Sequence, residues 1–276
     1  MASTDIAAQE KSFTGFLARG FVYSIIKSVD EEYATLLHDK RIAKYSPFST
    51  TPFYTITRKR IVIYPRKVMR GTSFAFDVKI LDDDLARIYM RGVSDISEVQ
   101  LGKMGRAQLC STSVKVVKLL ETKNIASIPS KFRASFFTPT YFRVRVPRTL
   151  RKKCRKMRTR LLPLPEPTHM FTNLFNLWNA CFKHKVREEY LEWLIQYPIL
   201  ISRIKGLDTH KVYEHPMKGV FAIGFTGTVY YAFAEDVYDE RMARITFQLL
   251  RLAEYSNVGG NRTAGFGWVK VRYPRK

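Results

Sequence analysis

Near the N-terminus, four side chains combine the acid, base and cation that phosphodiester cleavage needs in the absence of a metal ion. Tyr23 and Lys27 lie four residues apart, which places them on one face if the segment is helical. His38 and Lys44 follow in a second helical segment and its basic connector. Attack by a ribose 2′-OH requires a base for that hydroxyl, an acid for the departing 5′-oxygen and a cation for the crowded phosphate. By itself the grouping also fits a structural role, because a histidine at a helix C-terminus commonly stabilises the helix dipole.

A glycine-rich stretch near the C-terminus, SNVGGNRTAGFGWVKVRY (256–273), joins a predicted helix to a predicted strand. This order is the reverse of the strand-to-helix turns that bind nucleotides, and the stretch contains neither GxGxxG nor GKS/GKT. A helix C-cap needs one glycine, whereas this loop has four. We therefore predict that its backbone amides face a phosphate chain, with Arg262 as a forked donor. The residues predicted to contact this phosphate chain are Gly259, Gly260, Asn261, Arg262, Thr263, Gly265 and Gly267.

The net charge of +23, from 47 Lys+Arg against 24 Asp+Glu, indicates a polyanionic partner. The densest basic run, RTLRKKCRKMRTR (148–160), has no apolar period and is predicted to form a loop or a mobile hairpin. A solvated segment or a localisation signal would have the same composition, but the charge of the whole chain favours phosphate contact. The residues of this run predicted to bind phosphate are Arg151, Lys152, Lys153, Arg155 and Lys156.

Several classes of function are disfavoured. No apolar run approaches the about 18–20 residues of a membrane-spanning helix, and MASTDIAAQEKS lacks the pattern of a signal peptide. The five histidines form neither HxH nor HExxH, and the carboxylates at 82–84 fit the first turn of a helix better than a Mg²⁺ site. Three scattered cysteines are too few for a disulfide framework or a zinc site. We therefore expect a cytoplasmic protein without a metal, a cofactor or a membrane partner.

The first half of the chain has an element order that indicates a β–α–β–β–α–β unit. Ser28 and Glu31 form a capping-box signature, which would begin a second helical segment that ends near His38. The other predicted elements are a strand at 12–18, a helix from 20 to 28, strands at 46–57, 60–64 and 72–81, a helix that begins in the acidic run at 82–84, and a strand at 111–120.

The second half repeats this order, so the chain is predicted to be α+β with two domains, at 1–126 and 127–276. A strand pair bent at Gly227 is expected at 221–234. The other predicted elements are a strand at 132–146, helices at 168–182, 187–199 and 239–256, and the terminal strand WVKVRY.

Three segments resemble the CRISPR repeat-RNA endoribonucleases of the RAMP superfamily. LLRLAEYSNVGGNRTAGFGWVKV is similar to their glycine-rich signature, ASFFTPTYFR to the strand that begins their second domain, and the helix–LLH–SPFS pattern at 23–49 to their N-terminal half. The resemblance implies two tandem ferredoxin-like (RRM-like) domains with a basic cleft between them. It also implies sequence-specific, metal-independent cleavage of precursor crRNA within the repeat, which leaves a 2′,3′-cyclic phosphate and a 5′-hydroxyl.

The same resemblance implies roles for individual residues. In archaeal members, a tyrosine in the first helix, a histidine fifteen positions on and a lysine six beyond it form the catalytic group; Tyr23, His38 and Lys44 have this spacing. Members that lack the histidine use lysines and arginines, for which Lys27 and Arg262 are the candidates here. The implied partners are CRISPR repeat RNA and subunits of a CRISPR effector complex, with the chain a monomer or homodimer. A non-catalytic RAMP subunit that holds guide RNA and a general RNA-binding protein are the alternatives.

Overall fold

The computed structural model describes residues 13–38, 45–57, 60–63, 71–101, 105–119, 128–145, 149, 159–215 and 220–273. The chain divides into two compact units. Unit 1 comprises Met1–Val117, Val212–Phe221 and Asn261–Phe266, and unit 2 comprises Lys118–Lys211, Ala222–Gly260 and Gly267–Lys276. Two segments from the second half of the sequence therefore belong to unit 1. The predicted boundary at 126/127 lies outside the described residues, so the predicted domain limits stay a prediction.

Unit 1 combines helices with short antiparallel strand pairs. Its helices are α1 (Thr14–Val29), α2 (Glu31–His38) and α3 (Asp83–Ser94). Its strands are β1 (Phe48–Thr50), β2 (Tyr54–Thr57), β3 (Arg60–Ile63), β4 (Val78–Ile80), β5 (Glu98–Gln100) and β6 (Arg106–Gln108). β1 pairs with β4, β2 with β3, and β5 with β6. Among the described residues, no helix is both long and apolar enough to span a membrane.

The core of unit 1 forms where α1, α3 and β1 meet. Val22, Ile25 and Ile26 recur at helical spacing along α1 and are fully buried. They pack with Phe48 of β1 and Leu85 of α3. The acidic run at 82–84 begins α3, as the sequence predicts, since its first carboxylate accepts a hydrogen bond from the Leu85 amide at 2.8 Å. This core fixes the face of α1 that carries the first two candidate catalytic residues.

The predicted strand at 12–18 is wrong, because the first turn of α1 begins at Thr14. Gly15 and Gly20 lower the intrinsic helix propensity of this segment by about 1 kcal/mol each relative to alanine. The helix nevertheless runs through both glycines, since Ala18, Phe21 and the residues that follow bury one continuous face. Burial of that face outweighs local propensity.

The predicted capping box is also wrong, because Asp30 rather than Ser28 caps the start of α2. α1 extends to Val29, and the Ser28 hydroxyl donates back into this helix, to the Ile25 carbonyl at 2.8 Å. The carboxylate of Asp30 instead accepts a hydrogen bond from the Tyr33 amide at 2.8 Å. The two helical segments are therefore separated by one residue, whose short acidic side chain satisfies the start of α2.

The strand predicted at 111–120 does not form in the residues that the structure describes there, 111–119. Its alternating valines remain exposed to solvent, Val114 by 63% and Val116 by 88%. None of the described strands pairs with this segment. Alternation predicts a strand only where a sheet edge and an apolar neighbour are available to bury one face.

Unit 2 is built around a four-stranded sheet. Its strands are β7 (Lys131–Thr140), β10 (Ile199–His215), β11 (Val220–Phe233) and β12 (Val269–Arg272), in the spatial order β10-β11-β7-β12. The end of β10 and the start of β11 fall in the segment Val212–Phe221, which is counted with unit 1. β7 pairs antiparallel with both β11 and β12. The helices are α4 (Pro167–Cys181), α5 (Glu189–Leu194) and α6 (Glu240–Ser256), and β8 (Phe142–Arg145) pairs with β9 (Thr159–Leu162). The predicted β–α–β–β–α–β order is present as β7–α4–β10–β11–α6–β12.

Two strands of this sheet differ from the prediction. β10 has no counterpart in the sequence-based elements, because residues 200–206 are exposed and show no alternation of buried and exposed positions. β11 is a single strand rather than a bent pair, and its register with β7 shifts between Phe225 and Gly227. Gly227 has a φ of +134°, which permits this irregularity. Because none of the residues 200–206 is buried, a search for alternating buried positions does not detect β10.

Candidate functional site

Tyr23 lies on α1 at the margin of the unit 1 core. Its ring is half-buried and packs edge-to-face on Phe48 of β1, with 5.5 Å between ring centroids. Burial raises the pKa of the Tyr23 hydroxyl above its ordinary value near 10, and the positive charge of Arg19 opposes this shift. Tyr23 is therefore a neutral phenol at neutral pH, which can donate a hydrogen bond but cannot accept a proton.

Lys27 lies one turn further along α1, as the predicted spacing requires. Its Nζ forms an ion pair with Glu31 of α2 at 2.9 Å, and the two side chains are 64% and 71% exposed. Exposed pairs of this kind contribute little to stability. An anionic ligand can therefore displace the carboxylate from the ammonium group at small cost.

The side chains of the other two candidate catalytic residues, His38 and Lys44, lie outside the described part of the structure. His38 is the last residue of α2, as predicted, but its side chain lies outside the described part of the structure. Lys44 also lies outside the described residues. The catalytic group of Tyr23, His38 and Lys44 thus stays a prediction. The structure describes the side chain of Tyr23 and the backbone at the end of α2.

The glycine loop after α6 is closely packed rather than open; Gly259, Gly260 and Gly267 belong to unit 2 and Gly265 to unit 1. Each of the four glycine amides has a protein acceptor, and their predicted contact with a phosphate chain stays a prediction. Gly259 donates to Asn173 Oδ1, Gly260 to the Tyr141 carbonyl, Gly265 to the Arg262 carbonyl and Gly267 to the Pro139 carbonyl, at 2.9–3.1 Å. The glycines serve close packing: a Cβ at Gly260 would overlap the Tyr141 ring.

Arg262 is buried, with 6% of its surface exposed. Its Nη2 donates a hydrogen bond to the carbonyl oxygen of Ser46 at 2.8 Å. This hydrogen bond holds the guanidinium group against the backbone of its own unit, and the predicted role of Arg262 as a phosphate donor stays a prediction. Asn261 and Thr263 are partly exposed, and their contact with RNA stays a prediction.

The basic run joins β8 to β9. These strands pair antiparallel, from Phe142 opposite Leu162 to Arg145 opposite Thr159. Arg151, Lys152, Lys153, Arg155 and Lys156 lie between them in sequence and outside the described residues. Their role in phosphate binding stays a prediction.

One face of the unit 2 sheet packs against helices. Phe132 of β7 contacts Phe171 of α4 and Phe247 of α6 edge-to-face, with ring centroids 6.2 Å and 5.9 Å away. Because side chains alternate along a strand, Arg133 and Phe137 of β7 lie on the opposite face. That face is less buried than the helix side of the same strand.

The opposite face concentrates cations and aromatic rings. The strand register sets Tyr230 of β11 and Arg272 of β12 beside Arg133. The Arg203 guanidinium of β10 lies 5.7 Å from the Tyr230 ring centroid, and Lys270 Nζ lies 5.9 Å from the Phe137 ring centroid. We call this set the basic sheet face: Arg133, Phe137, Arg203, Tyr230, Lys270 and Arg272. Sequence reasoning predicted strands at β7, β11 and β12 but not at β10, and it missed the face, although alternating basic residues in KFRASFF and WVKVRY carry the signal.

A comparison with known protein families finds a match in the second half of the chain. Residues 134–269 match the family model of the CRISPR-associated endoribonuclease Cas6. The matched family is Cas6. The resemblance to the CRISPR repeat-RNA endoribonucleases is thereby confirmed. No curated protein matches the chain.

Solved Cas6 structures share the fold along almost the whole chain. A product complex of the Cas6 protein TTHB231, from Thermus thermophilus, has a TM-score of 0.74 at 21% identity and covers 95% of each chain. A substrate-mimic complex of the Cas6 protein TTHA0078 has a TM-score of 0.61 at 19% identity, covering 95% of this chain and 94% of that one. A Cas6-related protein from Pyrococcus furiosus reaches 0.55 at 10% identity, covering 96% and 93%. At these identities the likeness establishes the α+β fold.

Proposed function

We propose that this protein is a metal-independent endoribonuclease that binds CRISPR repeat RNA and cleaves precursor crRNA within the repeat. The observation that carries the proposal is the match of residues 134–269 to the Cas6 family. The proposal includes a pair of ferredoxin-like domains, which is supported in unit 2 by the element order and by the strand order β10-β11-β7-β12. The basic sheet face supplies the electrostatic and stacking contacts that RNA requires.

The proposed chemistry is an intramolecular displacement at phosphorus. The 2′-oxygen attacks and the 5′-oxygen leaves, which produces a 2′,3′-cyclic phosphate and a 5′-hydroxyl. His38 either takes the proton of the 2′-hydroxyl or protonates the departing 5′-oxygen, since an unperturbed histidine pKa near 6.5 allows both directions at neutral pH. Solvent water accepts or supplies the other proton. Tyr23 donates a hydrogen bond as a neutral phenol, and Lys44 and Lys27 stabilise the added negative charge.

RNA binding is assigned mainly to phosphate contact and base stacking. Arg203 and Lys270 are exposed and lie against Tyr230 and Phe137, respectively. Bases stack on aromatic faces in single-stranded RNA recognition, while neighbouring cations contact the backbone. The basic run between β8 and β9 belongs to unit 2 as well, and it adds further positive charge to that unit.

Cleavage is expected to persist at an unchanged rate in EDTA, because none of the proposed steps uses a metal ion. The test incubates the protein with a panel of labelled CRISPR repeat RNAs, with and without EDTA, and analyses the product ends. The 3′ fragment should accept phosphate from polynucleotide kinase directly, which identifies a 5′-hydroxyl. A 5′-phosphate, or loss of cleavage in EDTA, would contradict the mechanism. Tight binding without cleavage of any repeat would favour the non-catalytic RAMP subunit.

Removing cations from the basic sheet face is expected to weaken RNA binding uniformly across sequences. Each phosphate contact that is lost should reduce the slope of log K against log salt by about 1. The double change Arg203→Ala and Lys270→Ala should therefore flatten the slope by about 2. Lys183→Ala, which removes an exposed cation just after α4, is the control and should leave the slope unchanged. Equal effects at both places would indicate that only total charge matters.

A further inference from the structure

The segment Asn261–Phe266 belongs to unit 1, although the residues on either side of it belong to unit 2. It forms a single 3-10 turn, Arg262–Ala264, between two left-handed residues, Asn261 at φ 52° and Gly265 at φ 79°. Asparagine and glycine are the residues that adopt this conformation most readily. We call this segment the insert, and its contacts reach two separate parts of unit 1.

The first contact of the insert is with the start of α1. The Phe266 ring packs edge-to-face on Phe13, with 5.2 Å between centroids, and lies 6.2 Å from the Phe16 ring. Gly15 approaches the insert so closely that a Cβ there would overlap the Ala264 carbonyl. Glycine is therefore required at this point of the helix by the approach of another backbone.

The second contact is with the chain between Ser46 and Pro52. Arg262 donates to the Ser46 carbonyl at 2.8 Å, and the Thr50 hydroxyl donates to the Thr263 carbonyl at 2.9 Å. A Cβ at Gly265 would lie 2.8 Å from Cδ of Pro52. The insert thus holds this segment by hydrogen bonds at one end and by close packing at the other.

We propose that the insert positions the catalytic residues, and that Arg262 is a positioning residue rather than a ligand of RNA. The proposal rests on the proposed function. The insert ties α1, which carries Tyr23 and Lys27, to the segment that begins two residues after Lys44 in sequence. These two parts of unit 1 must keep a fixed distance if their side chains are to act on one phosphate. The glycine signature then serves catalysis through the geometry of unit 1.

Arg262→Met is expected to lower the rate constant of single-turnover cleavage at saturating repeat RNA by about 10–100-fold, because a displacement of about 1 Å at a catalytic group can cost 10²-fold. The amplitude of the turnover, the affinity for RNA and the salt dependence of binding should remain unchanged. Arg262→Lys retains a donor for Ser46 and should recover part of the rate. Arg241→Met, at an exposed arginine of α6, is the control.

Hydrogen exchange tests the insert independently of cleavage. The Phe53 amide donates to Thr14 Oγ1 at 3.1 Å and therefore reports on the contact between α1 and the segment after Ser46. Its exchange should accelerate in Arg262→Met and in Gly15→Ala. Gly20→Ala is the matched control in the same helix, since a Cβ there meets nothing within 4 Å.

Three outcomes would overturn the proposal. Weaker RNA binding with a salt slope reduced by about 1, and an unchanged rate at saturation, would make Arg262 a phosphate ligand. A reduced amplitude at an unchanged rate constant would make its role purely structural. Unchanged exchange at Phe53 would show that the insert does not couple the two parts. Failure of the wild-type protein to cleave would instead count against the proposed function, and the exchange result would still decide whether the insert couples them.

Discussion

Replacing His38 with alanine is expected to slow single-turnover cleavage of repeat RNA by about 10²–10⁴-fold, the usual contribution of a general acid–base group. The expectation depends on the spacing of Tyr23, His38 and Lys44, which resembles that of the catalytic group in the archaeal endoribonucleases to which the sequence is similar. Affinity for the RNA should be nearly unchanged, because binding is assigned to other residues. The rate is measured with enzyme in excess of labelled RNA, so that product release does not contribute.

The pH dependence of the same reaction distinguishes His38 from Tyr23 as the proton acceptor. Burial raises the pKa of Tyr23 above 10, so this phenol is protonated throughout the neutral range. If His38 is the base, the rate should rise with pH and level off near the histidine pKa of about 6.5. A rate that continues to rise towards pH 10 would assign the base to Tyr23. Tyr23→Phe keeps the ring against Phe48 and removes only the hydroxyl.

A second variant tests the lysine mechanism. Lys27→Ala removes an exposed side chain that pairs with Glu31. Arg87→Ala is its matched control, because Arg87 forms a similar exposed pair with Asp84 on α3, at 3.0 Å. If His38→Ala cleaves at the wild-type rate while Lys27→Ala is inactive and Arg87→Ala is normal, the lysine mechanism replaces the histidine one.

The sequence was most informative where an element buries one face continuously. α4 and α6 follow from their apolar period, and the cap of α6 follows from Asp239, whose carboxylate accepts a hydrogen bond from the Met242 amide. Both helices pack on the sheet of unit 2, so the apolar positions that repeat with the helical period are the positions that are buried. Two of the three segments that carry the family resemblance lie in the same half of the chain, where residues 134–269 match Cas6.

The sequence was least informative where partners are distant along the chain. The glycine loop has a composition that suits phosphate binding, and only the positions of Tyr141 and Ser46 reveal that its amides and its arginine are already engaged. Gly15 lowers the local helix propensity, but glycine is necessary at this position because a Cβ would overlap the Ala264 carbonyl. Such contacts join residues more than a hundred positions apart, and no local pattern encodes them.

Gly267→Ala is expected to lower the free energy of unfolding by about 2–5 kcal/mol. Gly267 has a φ of +70°, and a residue with a Cβ costs about 1–2 kcal/mol in the left-handed region. The new Cβ would also overlap the Val258 carbonyl, and overpacking adds about 1–3 kcal/mol. The site cannot relax easily, since Val258 donates its amide to the Gly267 carbonyl at 3.0 Å and Gly267 donates to Pro139 at 3.1 Å.

Gly206→Ala separates the two contributions to the Gly267 effect. Gly206 lies in the same unit with a φ of +60°, and a Cβ there would meet nothing within 4 Å. Its replacement should therefore cost only the about 1–2 kcal/mol of the left-handed conformation. Both variants are compared with the wild type by urea unfolding, monitored by far-UV circular dichroism. Equal losses would show that backbone conformation alone requires glycine at 267. A larger loss at Gly267 assigns the difference to the close approach of Val258, and hence to the packing that closes the glycine loop.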